Sequence, residues 1–327
     1  MRCRTRQPRV AGQRGAAILT AMLTVVLVAT LAASTLWQQW RGVEVEAAER
    51  SRTQSAWVLT GALDWARLIL REDARKGGAD HLAEPWAVPL EQARLSTFLA
   101  ADRSNIQAGP DAEEAFLSGQ IVDLQSRLNV VNLVQDGKVH EASLLAFSRL
   151  FKLLNLPESE LAALAENLRM AQDMSAENRA TPAALLWPQD VDQLAWFGLS
   201  TQTIVALRSY ITLLPVRTAV NLNTAPAEVI YANVEAFELS DAHRLVNARN
   251  VTHLATLADA LKAGGKADAQ FNDDSRYSVS SRFFEIRGKL QVEQTTVQEQ
   301  SVVQRDGLDV KTLWRKRGVV QANAPLQ

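Results

Sequence analysis

Uncharged residues run without a break from Ala16 to Leu36, behind a basic stretch that contains no acid. At about 1.5 Å per helical residue this run reaches roughly 30 Å, the thickness of a hydrocarbon core. Trp37 and Trp40 stand where an aromatic belt would sit, and Arg41 ends the span. From Val43 to Lys76 there is no proline, and Gly61 is the one residue that weakens a helix. Val58, Ala62, Trp65 and Ile69 recur at four- and three-residue steps, and Leu59, Ala66 and Leu70 widen the stripe. Gly77-Gly78 then closes the helix. Two arrangements satisfy this pattern: one rod from Ala16 to Lys76, about 90 Å long, or two helices with a break near Gly42.

Residues 79–119 read as an irregular connection, with prolines at 85, 89 and 110. In 119–133 the apolar residues Ile121, Leu124, Leu128 and Val130 partly alternate, which predicts strands with a bend. From about His140 to Gly265 short helices with start signals take over. Thr181-Pro182 reads as a cap followed by proline at the first helical position. Ser200 and Ser240 are placed to cap the apolar runs that follow them. Thr224 precedes Ala225-Pro226-Ala227-Glu228, with the carboxylate near the positive end of a helix dipole. Gly264-Gly265 closes the helical block, and strand character returns from Tyr277 through Leu290, Thr296–Val303 and Leu313–Val320. The pattern predicts an α+β chain: a strand-rich shell, split by a helical insertion of roughly 130 residues, hanging from a long N-terminal helix.

Composition narrows the class. The chain has 327 residues, 47% hydrophobic and 22% charged, ample for packed domains beyond an anchor. Residues 1–15 hold five arginines and no acid, so the remainder carries 30 basic and 36 acidic residues, a balance of −6. No long block of like charge occurs, which argues against a nucleic-acid binder. The single cysteine, Cys3, lies in the basic stretch, so nothing beyond it can form a disulfide.

Three readings fit the N-terminus. A cleaved secretory signal would end near Ala32-Ala33-Ser34. A plain single-pass anchor needs only the apolar run. A prepilin-type leader is a basic peptide ending in glycine, cut before an apolar run that stays on the mature protein. The junction Gln13-Arg14-Gly15/Ala16-Ala17-Ile18-Leu19 fits the last of these.

Four segments together resemble the general secretion pathway protein K family, minor pseudopilins of bacterial type II secretion. They are the leader junction from Gln13 to Leu23, Leu82–Leu90, Gly119–Leu133 and Val220–Ile230. The resemblance covers nearly the whole chain. It implies a pilin-like long N-terminal helix packed on an antiparallel sheet, with a large all-helical insertion that is SAM- or helix-hairpin-helix-like. The implied divisions are a leader at 1–15, the transmembrane part of the helix at 16–36 and its amphipathic part at 37–78. The shell would occupy 79–138 and 273–327, with two helical subdomains between them at 139–218 and 219–272. It also implies an inner-membrane protein with a cytoplasmic N-terminus and a periplasmic bulk, processed by a prepilin peptidase between Gly15 and Ala16. Most pilin-like proteins carry glutamate at the fifth mature position, where this chain has Thr20. A subunit without that carboxylate gives up a contact to the subunit above, which suits the first subunit of a filament. The implied partners are other minor pseudopilins at the pseudopilus tip, met through Val58, Ala62, Trp65 and Ile69. The same stripe could instead be buried against the chain's own sheet. Many relatives carry an Asp-Trp-Ile-Asp-like stretch where this chain has Leu161–Asp173.

Little in the sequence points to catalysis. His81, His140, His243 and His253 lack metal-ligand spacing, Gly264-Gly265-Lys266 lacks the rest of a phosphate loop, and there is no G-x-S-x-G elbow. The expectation is therefore no enzyme and no required cofactor. Asp268, Asp273 and Asp274 cluster in the return from insertion to shell, as a calcium loop would, although they match no EF-hand. Asn221–Glu228 resembles the opening of a helix-hairpin-helix module. The turn that follows, Val234–Ser240, is acidic and lacks glycine, which argues against phosphate binding. The competing functions are a DNA-uptake pseudopilin, resting on that likeness alone, and a membrane-anchored periplasmic enzyme. If the leader reading holds, mass spectrometry of the membrane-extracted protein will find a methylated Ala16 first, and Gly15→Glu will leave the precursor uncut. A mature terminus near Ser34 would restore an ordinary signal peptide.

Overall fold

The structure is a computed structural model that describes residues 14–95, 115–173, 185–267, 274–292 and 295–321. Helix α1 runs from Arg14 to Lys76, with no break at Gly42. The chain divides into two compact units, one ending at Val58 and the other starting at Leu59. In the first unit the apolar side chains from Ile18 to Leu36 are exposed, and the helix is long and apolar enough to cross a membrane. Its threonines turn their hydroxyls back onto carbonyls of the preceding turn, as Thr24 and Thr30 do at 2.9 Å, so no hydroxyl of theirs needs water.

The second unit is built on a five-stranded antiparallel sheet in the order β1-β2-β9-β10-β11. Strands β1 (Leu90–Arg94) and β2 (Ala115–Asp123) precede the helical block. Strands β9 (Phe283–Val292), β10 (Thr295–Asp306) and β11 (Asp309–Gln321) follow it. Because β2 pairs directly with β9, the chain leaves and re-enters the sheet at adjacent strands. Three pairs of two-residue strands line the crossing: β3 (Leu128–Asn129) with β6 (Ile211–Thr212), β4 (Val134–Gln135) with β5 (Lys138–Val139), and β7 (Val220–Asn221) with β8 (Tyr277–Ser278). One expectation is corrected here. The stretch after Gly78 is not irregular throughout, since β1 forms an edge strand whose short, mostly charged or polar sequence carries almost no alternation.

Helix α1 packs on one face of the sheet through Leu59, Leu63, Ala66 and Leu70, which are buried. Leu63, Ala66 and Leu70 meet Phe284, Ile286, Val303 and Val310 there. Gly288 allows the approach, because a Cβ at that position would stand 3.2 Å from the Leu59 side chain. The buried face is thus turned by one residue from the stripe Ala62, Trp65 and Ile69, and Trp65 remains 42% exposed. On the opposite face Phe283 and Val302 pack with Leu124 and Leu214, where the helical block begins and ends its first half.

The block holds α2 (Glu141–Leu153), α3 (Glu158–Gln172), α4 (Thr201–Leu207), α5 (Ala227–Asn233), α6 (Leu239–Val251) and α7 (Leu257–Ala263). A single apolar cluster runs through all of it, from Leu128 and Phe147 to Phe237 and Tyr277. Ser200 caps α4, accepting from the Thr203 amide at 3.2 Å. Ser240 does not cap α6; Glu238 does, with Asp241 closing a capping box, so the helix starts earlier than the serine suggests. The Thr181-Pro182 signal lies outside the described residues.

The crossing is fixed by a buried polar network. The Asp123 carboxylate at the end of β2 accepts from Asn221 Nδ2 at 3.1 Å, Thr224 Oγ1 at 2.5 Å, Ser281 Oγ at 2.6 Å and the Gln125 amide at 2.7 Å. Asn221 also donates to the Asp80 carbonyl at 3.1 Å. The Asp80 carboxylate accepts from the Ser281 amide at 2.6 Å and from Arg305. Arg305 in turn pairs with Asp73 at 2.8 Å. Nearby, Asn129 Oδ1 accepts from the Leu214 amide at 3.2 Å, and Asn132 exchanges two bonds with the Thr218 backbone. The asparagines of the 119–133 and 220–230 segments therefore serve as backbone clamps.

Burial pushes the Asp123 carboxyl up to about 6, against Ser281, Thr224 and Gln125, which pull it down. Its folded pKa lies above the ordinary 3.8, so its contribution to stability is complete below that value and is lost as pH rises through about 6. Thermal melts between about pH 4 and pH 7 should therefore fall more steeply for the wild type than for Asp123→Asn; equal slopes would refute this. Asp123→Ala takes the acceptor from four buried donors and should cost about 3 kcal/mol or more in denaturant unfolding.

Candidate functional site

An apolar hollow in the second unit lies beside α1, with a volume of about 270 Å³. Ala62, Trp65 and Ile69 form one wall, and Trp86, Val88 and Leu90 form the other. The second wall is held rigidly. Pro85 opens a short 3-10 turn, Trp86 Nε1 donates to Glu84 at 2.8 Å, and the Trp86 ring meets Phe284 edge-on at 5.2 Å. Glu84 also accepts from the His81 amide at 2.8 Å, which ties the turn back on itself. The conformation thus follows from Glu84-Pro85-Trp86, inside the Leu82–Leu90 segment.

Two polar groups sit in the floor. Ser301 is buried, and among the described residues its hydroxyl has no hydrogen-bond partner. The buried Glu299 carboxylate is paired by Arg315 at 2.9 Å and Arg317 at 2.5 Å. An apolar hollow with one bulky exposed indole at its rim suits insertion of apolar side chains from another polypeptide. It holds no nucleophile beside a base and offers no arrangement for acid-base chemistry.

The structure separates the residues singled out from sequence. Ala62, Trp65 and Ile69 come together in this hollow, whereas Val58 belongs to the other unit. Thr20 is exposed and donates to the Ala16 and Ala17 carbonyls, both at 3.0 Å. Asp268 and Asp273 lie outside the described residues, and Asp274 opens a short 3-10 turn. Among the described residues, the grouped carboxylates are Asp73, Asp80 and Glu84. Arg305 already pairs with Asp73 and Asp80, so a guanidinium stands where a metal ion would have to sit. Of the histidines, His140 caps α2 and His81 stacks on His253 with centroids 3.9 Å apart. Sequence reasoning missed the Asp80–Arg305 pair and the role of Trp86. The adjacent turn signal Gly77-Gly78 and Pro85-Trp86 were the available hints.

Comparison with known proteins places these features. Two family models described as type II secretion system protein K match residues 126–216 and 220–280. The type II secretion system protein K of Pseudomonas aeruginosa is 26% identical over 337 aligned positions, covering 96% of this chain and 95% of that one. The Pectobacterium carotovorum protein of the same name is 25% identical, covering 94% and 97%. The crystal structure of the GspK-GspI-GspJ complex from the enterotoxigenic Escherichia coli system contains a chain of the same fold. Its TM-score is 0.64 at 18% identity, covering 83% of this chain and 98% of that one. Family models, full-length relatives and fold agree on one family, that of type II secretion system protein K.

Proposed function

We propose that this chain forms the tip of a periplasmic pseudopilus and joins other minor pseudopilins there through the hollow beside α1. By its agreement with that family it is a minor pseudopilin of type II secretion, a structural component and not an enzyme. The observation that carries the tip reading is the division of labour between the faces of the sheet. One face holds α1 and the apolar hollow, and the other is occupied by the helical block. A subunit in a filament shaft needs neighbours on both sides along the axis, and a block of that bulk obstructs one of them. At the first position nothing has to pack above. Thr20 supports the same reading, because its hydroxyl is satisfied inside its own helix and carries no charge to offer a neighbour's amine.

The partner class rests on the fold likeness to a protein whose structure was determined in complex with GspI and GspJ. Processing by a prepilin peptidase at Gly15/Ala16 would free an apolar helix to remain in the inner membrane. The arginine excess before that helix favours a cytoplasmic N-terminus, which leaves the sheet and helical block in the periplasm.

The docking face is testable through Trp65, whose side chain can be changed without opening the core. Trp65→Asp should weaken co-elution with partner pseudopilins by about tenfold or more while leaving the melting temperature near that of the wild type. Trp196→Ala, at an indole exposed on the helical block, should leave association unchanged. Wild-type co-elution by Trp65→Asp would show that the hollow is not the docking face.

A further inference from the structure

The outer face of the sheet, opposite α1, is only partly covered. In the row nearest the helical block, Val122 pairs with Glu285, Glu285 with Val302 and Val302 with Trp314. Farther from the block two rows are polar. One aligns Gln120, Arg287, Gln300 and Lys316, and the other aligns Ser118, Lys289, Gln298 and Gly318. With Pro89 and Leu90 at one rim and Arg208 of the helical block at the other, these rows bound a hollow of about 720 Å³.

Its charge runs against that of the chain. Residues after the leader balance to −6, yet five cations (Arg208, Arg287, Lys289, Lys316 and Arg317) line this hollow against one carboxylate, Glu299. Four of them have acidic neighbours, Arg317 among them at 2.5 Å from Glu299. Arg208 pairs with Asp192, Lys316 lies 3.8 Å from Asp190, and Arg287 makes two bonds to the buried Glu285, at 2.6 and 3.0 Å. Lys289 has no acidic partner among the described residues. Arg127, partly buried just before β3, feels the charges of both Glu285 and Arg287. Burial lowers its pKa, Glu285 acts to raise it and Arg287 lowers it again. An antiparallel sheet commonly shows water a polar face, but such a face need not be concave or hold cations in excess of acids.

We propose that this hollow docks an acidic, extended peptide segment of another protein. The cations supply the sign of the partner. Gln120, Gln298 and Gln300 supply donors and acceptors together, which matches peptide amides; a phosphate backbone offers acceptors alone. No aromatic ring lines the hollow, so there is no stacking platform for bases. The inference uses the part of that face which the helical block leaves uncovered, and it stands or falls separately from the tip reading.

The test uses the full chain in detergent and a fluorescein-labelled oligoglutamate peptide, followed by anisotropy. Saturable binding is expected, weakening by about tenfold or more between about 50 and 300 mM salt. The double variant Lys289→Glu with Lys316→Glu should bind about tenfold more weakly or worse, since two exposed attractions become repulsions. Lys152→Glu, at an exposed site on the helical block, should bind as the wild type does. An oligoglutamine peptide of the same length should not bind, and an oligothymidine strand should not compete. Unaltered binding by the double variant would overturn the proposal, as would equal competition by oligothymidine or failure of the wild type to bind. Circular dichroism of the double variant, expected to match the wild type, keeps lost binding distinct from lost fold.

Discussion

Everything in the second unit depends on how one buried carboxylate is satisfied. Asp123 ends the strand from which the chain departs, and its bonds go to Asn221 and Thr224 inside the helical block and to Ser281 on the return. The carboxylate therefore joins three points on the chain that are far apart in sequence. Burial without such partners would cost several kcal/mol, so the four bonds it accepts are a condition of its presence. Asp80 and Arg305 extend the network to the end of α1 through Asp73. Losing one member removes a partner from several buried groups at once, which couples the members of the joint.

That joint explains how a sheet can tolerate a helical block of this size. Because β2 and β9 are neighbours, the excursion begins and ends at one place, and the polar network closes there. The block then keeps its own apolar cluster, independent of the α1 side. The two faces of the sheet are in this way free to differ. One is apolar and shaped by Gly288 for close helix packing, and the other is polar and basic beyond the reach of the block. Under the proposed tip reading, this separation would keep assembly contacts on one face and leave the other for different partners.

Much of this was legible in the sequence, for local reasons. The end of α1 at Gly77-Gly78, the Ser200 cap and the C-terminal strands follow from turn chemistry and alternation that act over a few residues. What escaped was non-local or marginal. β1 is short and charged, so it has no alternation to read. Ser240 was a plausible cap, but Glu238 and Asp241 together satisfy two backbone amides where a single serine would satisfy one. The α1 stripe took in Leu59, Ala66 and Leu70 of the buried face but left out Leu63, and it counted Trp65 and Ile69 alongside them because these weigh as heavily in periodicity. The partners that bury the other residues, Phe284, Ile286, Val303 and Val310, with Gly288 leaving room for Leu59, lie more than two hundred positions away. The Asp80–Arg305 pair has a sequence separation of 225 and leaves no local trace. For the candidate site, Ala62, Trp65 and Ile69 were visible as a stripe, whereas the Trp86 wall opposite them was not.

The account's central claim is that this chain occupies the end of a filament and not its shaft. Immunogold labelling of assembled pseudopili, with antibody raised against the helical block, tests it most directly. The account predicts one label per filament, at one end. Labels spaced along the shaft would contradict it, because a block of that bulk would then be accommodated between successive subunits.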